Sequence, residues 1–197
     1  MMDMPDPNDL EPTPPTPERV AARALVLAGV SCRGLIEKDA GKPGADQLRQ
    51  RVCQWLQDLG IADEIETSEL DLLTTPLGQL NQQSKLYAGW RSEGMLVLGW
   101  ALRLEKLLPF YTECQPNDVA NRLGFLGKRE ETPLYKPRLR DSDEIEHWAD
   151  TYLTAHWRLR EFSRTPENID FEAYVARCDW GSLTLTDVTI PRQSRGL

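Results

Sequence analysis

Apolar positions recur along this chain at the 3.6-residue period of helices through nearly its whole length, and only the last segment alternates as a strand does. In the first periodic stretch Ala21, Leu25, Ala28, Cys32 and Leu35 share one face, which Val20, Ala24, Leu27 and Ser31 widen. This predicts a helix from Thr16 to about Glu37, buried over much of its circumference. Thr16 supplies a capping hydroxyl, Pro17 the first helical position and Glu18 a charge suited to the positive end. Arg19 and Arg23 stand one turn apart on its opening half. After the turn Ala40-Gly41-Lys42-Pro43-Gly44, a second helix sets Leu48, Val52, Trp55, Leu56 and Leu59 against Arg49, Gln50, Gln54, Gln57 and Asp58, and stops at Gly60. Thr67 or Ser68 caps a short third helix through Leu73. Pro76-Leu77-Gly78 then breaks the chain, and a long segment with Gly89 as its weak point leads to the middle.

The middle reads Trp90-Arg91-Ser92-Glu93 followed by Gly94-Met95-Leu96-Val97-Leu98-Gly99-Trp100-Ala101-Leu102. The run after Glu93 has no polar face, so it predicts a central helix surrounded by other elements. It is too short for the roughly 20 apolar residues of a membrane span, and Arg91, Glu93, Arg103 and Glu105 flank it. Gly94 and Gly99 each cost about 1 kcal/mol in a helix relative to alanine, which implies that another element packs close to the backbone there. From Pro109 to Asp141 the pattern loosens into a long mixed-charge loop with a short helix at Asn117 to Leu123. Asp141 or Ser142 starts a strong helix through Phe162, with Ile145, Trp148, Ala149, Tyr152, Ala155, His156 and Leu159 on its apolar face. A last short helix is expected at about Phe171 to Cys178. Beyond it Leu183-Thr184-Leu185-Thr186 alternates as a strand, and Val188 and Ile190 continue with opposite parity, so the chain must bulge or turn near Asp187.

The architecture implied is mainly α: a single-domain helical bundle in which the central helix is ringed by the first, second and sixth, with a small C-terminal extended β element. The domain is expected over 16–190, with a disordered, acidic, proline-rich tail at 1–15 and a flexible tail at 191–197. At 197 residues, 40% hydrophobic and 27% charged, the chain is long enough for one core. A net charge of −8 and a pI near 4.9 argue against a protein held mainly by nucleic-acid phosphates or an anionic membrane surface. Cys32, Cys53, Cys114 and Cys178 are scattered without a C-x-x-C pair, as expected of reduced thiols in a cytoplasm, and the acidic start is unlike a signal peptide.

Three segments carry a family resemblance. Glu18-Arg19-Val20-Ala21-Ala22-Arg23-Ala24-Leu25-Val26-Leu27, the middle motif from Trp90 to Leu102, and His156-Trp157-Arg158-Leu159-Arg160 together resemble the domain-of-unknown-function family number 4272, found widely in bacteria. The resemblance implies a mostly helical single domain and brings no activity, cofactor or catalytic residue with it.

Glu93 beside an apolar run needs something to answer its charge. The expected partner is Arg23, with Arg158 or Arg160, in an ion pair against Trp90 and Trp100. Trp55, Trp90, Trp100, Trp148 and Trp157 sit at helical spacing and are expected in the core, and Trp180 at a surface or partner contact. Glu144-x-x-His147 has the spacing of a di-metal helix, but the second such pair is missing, so no metal or other cofactor is expected. No catalytic residue is assigned either, because the two histidines are remote in sequence from any cysteine but Cys178 and no phosphate loop is present. Lys128, Arg129, Lys136, Arg138 and Arg140 form the one candidate loop for an anionic partner, diluted by Glu130, Glu131, Asp141 and Asp143, so nucleic acid is not the expected partner.

Two function classes follow. The first is a non-catalytic, cytoplasmic module that binds another protein through the basic loop or the strand edge near Leu183 to Ile190. The alternative is a small-molecule-binding or hydrolase-like protein using Glu93 with arginine and tryptophan in an interhelical cleft. A solvent-reachable pocket around Glu93 would favour the alternative, and a filled core with exposed apolar edges the first.

Overall fold

A computed structural model describes residues 14–108 and 112–164, together with 173, 176 and 177. Among these, six α-helices form and no strand does: α1 (Pro17–Ile36), α2 (Ala45–Asp58), α3 (Thr67–Thr74), α4 (Gln82–Ala101), α5 (Pro116–Arg122) and α6 (Ser142–Arg164). The strand-like segment near Leu183 to Ile190, Trp180, Cys178 and the tail at 191–197 lie outside the described residues. Of the last helix expected, Ala173, Ala176 and Arg177 are described and are helical.

Local signals set most helix ends. The Thr16 hydroxyl accepts the Arg19 amide at 3.3 Å, and Pro17 occupies the first turn of α1. Asn81 does the same for α4 by accepting the Ser84 amide at 2.8 Å. The cap of α3 is Glu66, one residue before the threonine expected, and the Glu66 amide donates to the Glu69 carboxylate at 3.1 Å. Gly89 does not interrupt α4, which runs unbroken for 20 residues.

The centre of the bundle is α1, which corrects the expectation that α4 would hold that place. From Val20 to Val30 every residue of α1 but Arg23 is buried, and α1 packs along α4 and also meets α2, α3 and α5. Its alanines explain this: Ala21, Ala22, Ala24 and Ala28 keep the helix thin enough for neighbours to close in on several sides. A Cβ on Gly34 would lie 2.7 Å from Cβ of Ala88, so α1 and α4 touch almost backbone to backbone there. The close approach expected at Gly94 and Gly99 is present: a Cβ added there would lie 3.1 Å from Leu27 of α1 and 2.9 Å from Glu105, respectively. An unbroken apolar run shows that a helix can be buried all round, not that it is, and in α4 Val97 remains 47% exposed.

Two arginines of α1 are anchored inside the fold. The Arg33 guanidinium, 1% exposed, donates to Glu37 at 2.7 Å and to the carbonyls of Thr75 and Pro76 at 3.0 and 3.1 Å. Glu37 in turn accepts the amides of Gly78 at 3.0 Å and Leu80 at 2.9 Å. Burial alone would raise the Glu37 carboxyl, but Arg33 and the two amides hold it below its ordinary value. This pair fastens the α3–α4 connection to the end of α1. At the other end Arg23 grips the fully buried Glu69 of α3 with two hydrogen bonds of 2.8 and 2.9 Å, and also donates to the Glu64 carbonyl.

The segment between α5 and α6 is tied down rather than loose. Trp55 of α2 donates its indole N–H to the Gly127 carbonyl at 2.8 Å and meets the Phe125 ring edge-on at 5.1 Å. Leu123 and Leu134 are buried in the core. By contrast, α6 forms no extensive seam with α1–α5 and stands off from the second half of α4 across an open space.

Candidate functional site

That space is a cavity of about 820 Å³ between the second half of α4 and the first half of α6. Leu96, Val97, Trp100 and Ala101 line the α4 side, and Ile145, Trp148, Ala149 and Tyr152 the α6 side. Leu107, Leu108 and Leu139 add to its walls, and Pro14, Pro15 and Val20 bring in the entry to α1. The helical period shapes it: on α6 the positions Ile145, Trp148, Ala149 and Tyr152 share the face turned to α4, and the described side chains between the helices leave the gap open.

Glu93 enters this cavity from α4. The ion pair expected for it with Arg23 is not formed, since Arg23 turns to Glu69 and Glu66 and to the Glu64 carbonyl. Arg160 instead lies over the Trp157 ring at 5.4 Å on α6. What answers the Glu93 carboxylate is the backbone amide of Cys114, 3.1 Å away. An amide leaves no trace in amino-acid composition, whereas an arginine on an apolar helix stands out, and that difference explains the misassignment.

The residues proposed around Glu93 therefore divide. Trp100 is buried at the cavity wall, with the Arg140 guanidinium 5.1 Å from its ring centre. Trp90, nearer the start of α4 than any residue of the cavity wall, is 72% exposed, and Trp157 is 56% exposed on α6, both against the expectation of core packing. Helical spacing alone does not tell which face a neighbour covers. The cavity's further polar groups are Thr112, Ser142, Glu146, Arg140 and Tyr152, whose hydroxyl donates to the Leu108 carbonyl at 3.2 Å. Burial raises the Tyr152 phenol above its ordinary value. Sequence reasoning missed Tyr152 and Arg140 as companions of Glu93. The one signal available was the apolar face of α6, which has to meet something.

The basic loop does not assemble into a footprint. Arg129 donates to the Leu59 carbonyl at 2.8 Å, and Arg140 to the Trp100 carbonyl at 2.7 Å and to Glu144 at 2.8 Å. Lys136 lies over the Tyr135 ring at 4.8 Å. Lys128 and Arg138 are exposed. Glu144, held by Arg140, is not poised as a metal ligand with His147, and among the described residues no cluster of three or more His, Cys, Asp or Glu side chains could hold a metal ion. Cys32, Cys53 and Cys114 are free thiols. Burial pushes Cys32 up to about 11 and also raises Cys53 and Cys114, so none is a ready nucleophile. No described helix is long and apolar enough to cross a membrane.

No curated protein and no solved structure matches this chain. The three segments singled out from the sequence, from Glu18 to Arg160, all fall within the span of one family model, that of a domain of unknown function, DUF4272, which matches residues 4–177; the chain belongs to that family.

Proposed function

We propose that this protein is a non-catalytic binder of a small, mainly apolar molecule that lodges between α4 and α6. The observation that supports it is the cavity itself: about 820 Å³, with leucine, isoleucine, tryptophan and tyrosine walls and few polar groups. Ligand sites are typically about 300–1,000 Å³ with this kind of lining. A hydrolytic role for Glu93 finds less support, because the neighbouring thiol of Cys114 is buried and held protonated, and both histidines lie exposed on α6. The scattered thiols suit a reducing cytoplasm, and the family resemblance suits a bacterial one.

The test is a titration of the full chain with N-phenyl-1-naphthylamine, a neutral apolar dye that brightens on leaving water. Saturable one-to-one binding, lost in Ala149→Trp, is the expected result, because an indole at the exposed Ala149 would fill the cavity. Absence of binding to the folded parent would overturn the proposal.

A second reading, a protein-interaction module, draws on a different stretch of the same two helices. Leu86 and Trp90 are one turn apart on α4 and 49% and 72% exposed, and Leu153 and Trp157 repeat the spacing on α6 at 54% and 56%. Its test is whether a protein that co-purifies with the chain, or a second copy of it, is released by Trp90→Ser.

A further inference from the structure

Resting on the cavity as a ligand site, we infer that its ligand is an organic cation, an amine or quaternary ammonium group carried on an apolar body. The charge balance of the lining comes first. Glu93 and Glu146 face the cavity, and the one cation among its described lining residues, Arg140, is already committed to Glu144 at 2.8 Å and to the carbonyls of Trp100 at 2.7 Å and Glu105 at 3.4 Å. An incoming anion would meet two carboxylates and an occupied guanidinium. An incoming cation would meet a carboxylate whose partner, the Cys114 amide, carries no charge.

The aromatic walls point the same way. On α6 the rings of Trp148 and Tyr152 lie 5.9 Å apart and tilted at 41°, and both line the cavity. The negative faces of such rings attract cations, most strongly where water is displaced. Trp100, on the opposite wall, already holds a guanidinium in this manner. A carboxylate and two aromatic rings around an apolar volume form the recognition chemistry of a substituted ammonium ion. A carboxylate or phosphate ligand would have no such complement here. The net charge of −8 also concentrates small cations near the surface.

Three probes with the same tail separate this inference from the reading beneath it: octyltrimethylammonium, octanoate and octanol, each competing with N-phenyl-1-naphthylamine on the full chain. The ammonium probe should compete about tenfold better than the other two, the scale of one desolvated cation–π contact joined to a charge pair. Glu93→Gln keeps an oxygen for the Cys114 amide and should remove most of that preference while leaving octanol unchanged. Trp148→Leu, on the other wall, should weaken the ammonium probe several-fold and octanol much less. If all three compete equally, or octanoate competes best, or both variants keep the preference, the ligand is not a cation although the cavity binds. If the dye and all three probes fail to bind, the cavity reading fails and the inference with it.

Discussion

Glu37, Glu69 and Glu93 each lie against apolar parts of this protein, and they are treated in two ways. Glu37 and Glu69 are buried, and each faces a guanidinium, Arg33 or Arg23, with one or two backbone amides completing the shell. Glu93 is only half-buried, faces a cavity, and has an amide but no described cation. The first treatment joins α1 to the chain around it and leaves nothing for a ligand to do. The second leaves a negative charge unbalanced in a place a small molecule can reach. On the proposed reading, stability and binding capacity reside in different carboxylates of the same bundle, and mutation should be able to tell them apart.

The largest effect should come from Arg33→Met. Removing the guanidinium strands the Glu37 carboxylate inside the protein and leaves the Thr75 and Pro76 carbonyls without their donor. Breaking a buried pair from one side typically costs about 3–5 kcal/mol. Denaturant unfolding would show this as a lower midpoint. The double variant Arg33→Met with Glu37→Leu should recover part of the loss, because no buried charge is then left alone. Strict additivity of the two single changes would break the account of Arg33 and Glu37 as one unit.

A smaller, pH-dependent effect belongs to Arg23 and Glu69. Burial pushes Glu69 up, but the Arg23 hydrogen bonds, the Glu66 amide and the charges of Arg23 and Arg91 bring it below its ordinary value of 4.5. A carboxyl lowered in the folded state contributes stability that is complete above 4.5 and is lost as pH falls through the folded value. Glu37 adds to the same acid window. The melting temperature of the parent should therefore decline below pH 4.5, and in Arg23→Met that decline should be shallower. Arg23→Met should also cost less than Arg33→Met at neutral pH, since Arg23 is partly solvated and Arg91 stays 3.7 Å from Glu69. Parallel pH profiles for parent and variant would count against Arg23 as the group that holds Glu69 ionised.

Much of the fold was readable before the structure, and the readable part was local. Thr16 and Pro17 start α1, Ser142 starts α6, and the apolar stripe of α2 at Val52, Trp55 and Leu56 is buried as its period implies. What the sequence hid was tertiary. That an acid in an apolar run must be answered was sound reasoning for Glu93, but the answer was an amide brought from Cys114, 21 residues along the chain. Arg23 did need a carboxylate, and found Glu69 of a helix only 8 residues long. The Arg33–Glu37 pair was legible and passed over: two opposite charges one turn apart at the end of a buried helix are a sequence-level signal. Which helix lies at the centre followed from side-chain size, the alanines of α1, rather than from the longest apolar run. The cavity has no signal in the sequence, because period shows where apolar faces are and not whether they meet.

Between α1 and α4, Gly34→Ala tests how firmly the core is closed. The added methyl would fall 2.7 Å from Cβ of Ala88, too near for either backbone-borne atom to move aside alone. Alanine's better helix propensity, worth up to about 1 kcal/mol, opposes the clash, and overpacking typically costs about 1–3 kcal/mol. The expected net loss is about 1–2 kcal/mol, visible in thermal unfolding. A stabilised variant would mean that the two helices can separate cheaply, and the contrast between a closed core and an open groove would weaken.

The smallest effect should be that of Glu93→Gln, and it bears most directly on the comparison. Glutamine keeps an oxygen to accept the Cys114 amide and removes the charge that no described cation balances. Its stability should stay within about 0.5 kcal/mol of the parent, as for most substitutions that break no buried pair. Glu37→Gln and Glu69→Gln, the same chemical change, should each cost several times more, because they strand Arg33 and Arg23. Run side by side in one denaturant series, the three substitutions make one chemical change at carboxylates that differ in burial and in what faces them. A loss at Glu93 equal to that at Glu37 would make it a third structural anchor. A negligible loss would leave its charge without a structural role, as a group kept for binding requires.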